Sequence, residues 1–114
     1  MPKSNVTISV RKVSSTTAIL DIQGEVTGFA EDVLMDAYTQ ACNGGARVIA
    51  LNFTNLDYMN SSGIGLLVTL LVRVQRQKQQ LRAFGLSEHY QQIFELTRIN
   101  EVIGIYVAET DAVR

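Results

Sequence analysis

The run Asp57-Tyr58-Met59-Asn60-Ser61-Ser62-Gly63-Ile64-Gly65 sets two hydroxyls where an apolar strand, Val48 to Phe53, gives way to an apolar helix, Ile64 to Val72. A hydroxyl at such a junction sits at a helix N-terminus, where unpaired N–H groups and the positive end of the helix dipole favour negative charge. The chemistry on offer is that of a phosphate, either bound or covalently attached. Attached to Ser61, a phosphoryl group would add about −1.5 to −2 charges and three acceptor oxygens. Ser62 is the alternative acceptor. The same residues are good helix starters, so Asn60 or Ser61 as a plain N-cap, worth about 1 kcal/mol, stands beside the phosphoacceptor reading. Gly63 and Gly65 fall in the first turn, where glycine costs up to about 1 kcal/mol relative to alanine. Their presence implies close approach, either of a neighbouring element or of a partner's backbone. The phosphate-cradling loop with its lysine is absent. The single histidine, His89, falls at the start of a different helix, so no Ser–His–Asp arrangement is expected.

The elements that must hold this junction follow from the hydrophobic pattern. Val6, Ile8 and Val10 alternate with polar residues, as do Ala18, Leu20 and Ile22, with Ser14-Ser15-Thr16-Thr17 between them; this predicts a β-hairpin whose second strand ends at Gly24. From Phe29 to Cys42, Val33, Leu34, Ala37, Tyr38 and Ala41 recur at helical spacing, and Asn43-Gly44-Gly45 closes that helix. Val48 to Phe53 reads as a strand covered on both faces. The junction helix runs to about Gln79, Leu81 to Gly85 is the next strand, and Glu88 to Thr97 is a helix burying Tyr90, Ile93, Phe94 and Leu96. Ile103 to Val107 is the last strand. The order ββαβαβαβ predicts one α/β domain over residues 1–114, with a mixed central sheet opened by a hairpin and helices packed on it.

Bulk properties narrow the function class. A length of 114 residues and a hydrophobic share of 46% suit one compact domain rather than a disordered chain. A formal charge of −1 argues against a nucleic-acid binder, and the cluster Arg73, Arg76, Lys78 and Arg82 reads as a solvated helix face. No apolar run approaches the roughly 20 residues of a membrane span, and Met1 to Ser4 lack the apolar core of a leader. The single cysteine, Cys42, has no metal-ligand spacing around it and reads as a small buried hydrophobe in a reducing cytosol. No metal and no cofactor are expected.

In this order of elements, the chain resembles the STAS domain, specifically its bacterial anti-sigma factor antagonist branch. The carriers are Gly24-Glu25-Val26, the strand Val48 to Phe53, and Leu56 to Gly65; Ala83 to Ser87 and Ile93 to Thr97 add support. The resemblance implies a protein that is no enzyme. Such a protein binds an anti-sigma factor, a serine kinase of the histidine-kinase-like ATPase type, and so frees a sigma factor. Phosphorylation of the serine in an Asp-Ser-(Ser/Thr)-Gly motif releases the partner, and a metal-dependent serine phosphatase reverses it. That motif falls on Asn60-Ser61-Ser62-Gly63, which makes Ser61 the implied phosphoacceptor. Asn60 stands where the family usually has Asp, and Thr27 where Gly-Glu-Leu-Asp would supply another acid. Residues 108–114 are too few for more than a fragment of the family's closing helix. The implied setting is a cytoplasmic, monomeric regulator of transcription acting by partner switching. The alternative is a non-switching STAS scaffold or signalling-complex subunit that binds protein partners through the same edge.

The expected docking edge follows from topology. Loops at the carboxyl ends of parallel strands converge on one side of a sheet. Glu25, Thr27, Gly28 and Phe29 form the second strand-to-helix junction and should border Tyr58, Asn60, Ser61, Ser62 and Gly63. Phe29 is either a staple to the core or an exposed anchor. On the junction helix, Ile64, Leu67, Val68 and Leu71 make the expected core stripe; Leu66 and Leu70 lie off it and are candidates for an exposed apolar patch.

Overall fold

The computed structural model describes residues 5–114; the expectation of no leader core at Met1 to Ser4 concerns residues outside these. Alternating apolar residues form β1 (Val6–Lys12) and β2 (Thr17–Val26), paired antiparallel with Val10 opposite Leu20. Next come β3 (Val48–Met59), β4 (Gln80–Phe84) and β5 (Gly104–Tyr106), each parallel to the strand before it. The spatial order β1-β2-β3-β4-β5 repeats the chain order. Crossovers of one hand that always step the same way must leave their helices on one face. Accordingly α1 (Glu31–Cys42), α2 (Ser61–Arg76) and α3 (Glu88–Leu96) share a core with the sheet residues Leu20, Leu51 and Ala83. Alternate residues Ile19, Ala50 and Phe84 point to the other face, where Ala112 of the short α4 (Glu109–Ala112) covers them. This is the α/β domain with a mixed sheet that the pattern predicts.

Several details depart from the expectation. Gly24 does not end β2; it sits at φ +104 beside a register shift between Gly24 and Glu25, and the strand continues to Val26. A Cβ there would lie 2.1 Å from the Asn5 carbonyl oxygen, so glycine is required by the backbone that leads into β1. β3 does not stop at Phe53 but runs on through Thr54-Asn55-Leu56-Asp57-Tyr58. Polar residues there are tolerated because β4 pairs only as far as Asn52. A 3-10 turn, Gly28–Ala30, precedes α1 and takes Phe29 out of the helix. Leu96 is 85% exposed, because it falls on the far side of α3 from Tyr90 and Phe94. Cys42 is only half-buried, and its sulfur accepts a hydrogen bond from Gln79 Nε2 at 3.4 Å.

The stripe on α2 is also rotated from its expected position. Gly63, Leu66, Leu67, Leu70, Leu71 and Val74 are buried, while Val68 and Val72 face solvent. Leu66 and Leu70 are therefore core residues, 8% and 0% exposed, and not part of a surface patch. The spacing i, i+3, i+4, i+7, i+8, i+11 from Gly63 is that of one helix face. Thr69, Arg73 and Arg76 mark the opposite side.

Candidate functional site

The Ser61 edge is built by the end of β3 and the start of α2. Asn60 has extended backbone and is the N-cap: its Oδ1 accepts from the Gly63 N–H at 2.9 Å and its carbonyl from the Ile64 N–H at 3.0 Å. The cap role thus falls to Asn60, and Ser61 is free of it. Ser61 is the first residue of α2, and both Ser61 and Ser62 are exposed. Neither hydroxyl makes a protein hydrogen bond among the described residues.

Two backbone contacts lock this junction to β2. The Asn60 N–H donates to the Val26 carbonyl at 3.3 Å. A Cβ on Gly63 would stand 2.0 Å from that same Val26 oxygen, so Gly63 serves the approach of β2. Among the described residues Gly65 has no neighbour within 4 Å of its Cβ position and faces open space. The two glycines of the motif therefore answer different needs.

The loop after β2 does border the serines. A Cβ on Gly28 would lie 3.4 Å from Ser62 Cβ. Thr27 Oγ1 accepts from the Phe29 N–H at 3.3 Å and so caps the 3-10 turn. Phe29 is 60% exposed, so it is no staple to the core. Glu25 lies opposite Tyr58 in the β2–β3 register, and the Tyr58 ring is half in solvent. Of the sequence-named residues, Glu25, Thr27, Gly28, Phe29, Tyr58, Asn60, Ser61 and Ser62 come together; Gly63 lies beneath them and Leu66 and Leu70 are withdrawn into the core.

The electrostatics of the edge are simple. The first turn of α2 carries no acidic residue, whereas the first turns of α1, α3 and α4 hold Glu31 and Asp32, Glu88, and Glu109 and Asp111. The positive dipole end at Ser61 is thus uncompensated. No base is hydrogen-bonded to either serine among the described residues, and His89 is exposed on α3 with its ring against Tyr90. Among the described residues no helix is long and apolar enough to cross a membrane.

Sequence reasoning missed Tyr90 as a part of this site. Its hydroxyl, on α3, accepts a hydrogen bond from the Met59 N–H at 2.8 Å. The reason emerges only in the structure: β3 outruns β4, so its last amides need a partner from elsewhere.

Residues 7–112 match the family model of the STAS domain. The chain is 23% identical over 101 residues to the anti-sigma-B factor antagonist of Listeria monocytogenes, covering 89% of each protein. It is 27% identical over 84 residues to the protein of the same name in Staphylococcus aureus, covering 74% of this chain and 78% of that one. The solved structure of the Bacillus cell fate determinant SpoIIAA in its phosphorylated form superposes with a TM-score of 0.70 at 20% identity, over 93% of this chain and 96% of that one.

Proposed function

Because this chain belongs to the STAS domain family, we propose that it is an anti-sigma factor antagonist: a cytoplasmic binding protein, not an enzyme, that docks its Ser61 edge on an anti-sigma factor serine kinase. Phosphorylation of Ser61 releases the partner, and a serine phosphatase restores the binding form. The names of the Listeria and Staphylococcus relatives support the first part, and the existence of SpoIIAA in a phosphorylated form supports the second.

The observation that carries the switch is an exposed Ser61 at the start of a helix already capped by Asn60, with no acid in its first turn. A dianion there meets the positive end of the dipole, which favours it by about 0.3–1 kcal/mol. The fold survives modification. A partner packed over the same helix end meets a buried new charge, an effect of about 2–5 kcal/mol, or tens- to thousands-fold in affinity. The switch acts on binding. Exposed Phe29 and Tyr58, flanking the serines, supply the aromatic contacts that protein interfaces favour. Ser61 is preferred over Ser62 because Ser62 faces the Gly28 loop, where a Cβ on residue 28 would stand 3.4 Å from its own Cβ.

The test is the intact mass of the protein purified from its own host, before and after phosphatase treatment, with fragmentation to locate any modification. A phosphatase-sensitive gain confined to Ser61 is expected. A single unmodified mass under every growth and stress condition would sink the switch. The neutral Asn60 cap favours one second reading, a non-switching STAS scaffold that uses the same edge. Partner binding retained in Ser61→Asp at wild-type affinity would select it.

A further inference from the structure

The Met59 amide occupies an unusual position in the sheet. Asn60 turns its N–H toward β2, onto Val26 O. Consecutive residues of an extended chain point their amides to opposite sides, so the Met59 N–H faces the side of β4. β4 has already ended at Phe84, whose partner is Asn52, and so the last seven residues of β3 have no strand on that flank. A buried amide left unpaired there would be destabilising. The Tyr90 hydroxyl takes the place of the missing strand, accepting from the Met59 N–H at 2.8 Å within the core. The Met59 side chain in turn lies against the junction: its Cγ is 3.1 Å from where a Cβ of Gly63 would stand.

We infer that Tyr90 is a positioning residue for Ser61. Its hydroxyl fixes the strand end from which Asn60, Ser61 and the first turn of α2 are projected, and it ties that geometry to α3. The inference rests on the Ser61 reading for its functional consequence, but the positioning itself has an independent readout.

Tyr90→Phe removes one oxygen and keeps the ring, so the core stays filled. Tyr38→Phe is the matched control, because Tyr38 is equally a buried tyrosine whose hydroxyl donates one hydrogen bond, to Gln79 Oε1 at 2.7 Å, far from the junction. Amide hydrogen exchange of the full chain is the first measurement. Tyr90→Phe is expected to speed exchange across residues 59–64 about tenfold, as loss of one buried hydrogen bond implies, while Tyr38→Phe leaves that segment unchanged. The second measurement is phosphate occupancy at Ser61 in protein taken from the host. It should fall severalfold in Tyr90→Phe and stay at the wild-type level in Tyr38→Phe. Wild-type exchange at residues 59–64 in Tyr90→Phe overturns the inference. So does faster exchange with unchanged occupancy in a chain whose wild type is phosphorylated. If wild type carries no phosphate, the switch reading fails, and the exchange contrast alone decides whether Tyr90 positions the junction.

Discussion

The face of the sheet beneath α4 and the edge where β2 and β3 end handle charge in opposite ways. Beneath α4, Arg11 Nη2 donates to Asp21 Oδ1 at 2.9 Å and to Glu109 Oε1 at 2.8 Å. Asp21 Oδ1 also accepts from Asn52 Nδ2 at 2.8 Å, and Asn52 Oδ1 accepts from the Thr54 hydroxyl at 2.6 Å. Arg82 donates to the carbonyls of Ala112 and Arg114 at 2.9 and 2.7 Å. These side chains have neutralised or satisfied one another. At the Ser61 edge the described residues make no ion pair, and the helix dipole is met by neutral serines. The lesson is that a charge added beneath α4 would disrupt existing pairs, whereas one added at Ser61 breaks no ion pair among the described residues and, in the proposed switch, acts on the docked partner instead.

The largest expected break in that comparison is Gly63→Ala. A Cβ 2.0 Å from a backbone oxygen forces β2 and α2 apart, and urea unfolding should show a loss of about 3 kcal/mol. Asn60→Ala removes the cap that leaves Ser61 free and should cost about 1 kcal/mol by the same measurement. Gly65→Ala should go the other way, stabilising by up to about 1 kcal/mol, because its Cβ enters open space. Should that variant gain stability yet lose partner affinity, the open space at Gly65 is where a partner's backbone comes close. The smallest effect belongs to the charged face. Asp21→Asn should cost about 0.2–1 kcal/mol at neutral pH, the range of partly exposed pairs.

The sign of its pH dependence follows from the bonding. The hydrogen bond from Arg11 holds the Asp21 carboxyl below the usual aspartate range, with Asn52 adding to it against the opposing effect of burial. A carboxylate depressed in the fold contributes stability that is present above its unfolded pKa and is lost as pH falls through its folded one. Thermal unfolding across the acid range should therefore fall less steeply for Asp21→Asn than for wild type. An unchanged acid limb would mean that the network beneath α4 does not contribute through Asp21.

Most of this fold is legible in the sequence because local and tertiary demands agree. Val48 to Phe53 has to be a strand, and Asn43-Gly44-Gly45 has to end a helix. The junction is legible for the same reason: an apolar strand, a cap and an apolar helix meet within a few residues. The misreadings share another cause. Thr54 to Asp57 look like a loop because polar residues alternate with nothing that signals a sheet, yet pairing with β2 alone keeps them extended. Leu66 and Leu70 look spare if the stripe is anchored at Ile64, and they become core once Gly63, pressed against Val26, is taken as its origin. Phe29 could have packed either way by type, and the 3-10 turn capped by Thr27 turns it outward. The Tyr90 bond depends on a strand that is absent, which no local pattern encodes.

The unequal lengths of β3 and β4 have one more consequence. β3 runs seven residues past its last rung with β4, about 20 Å of extended chain, before the serines begin. The sheet thus acts as a jetty: its anchored end lies among all five strands, and its tip is moored to β2 on one side and to a single hydroxyl on the other.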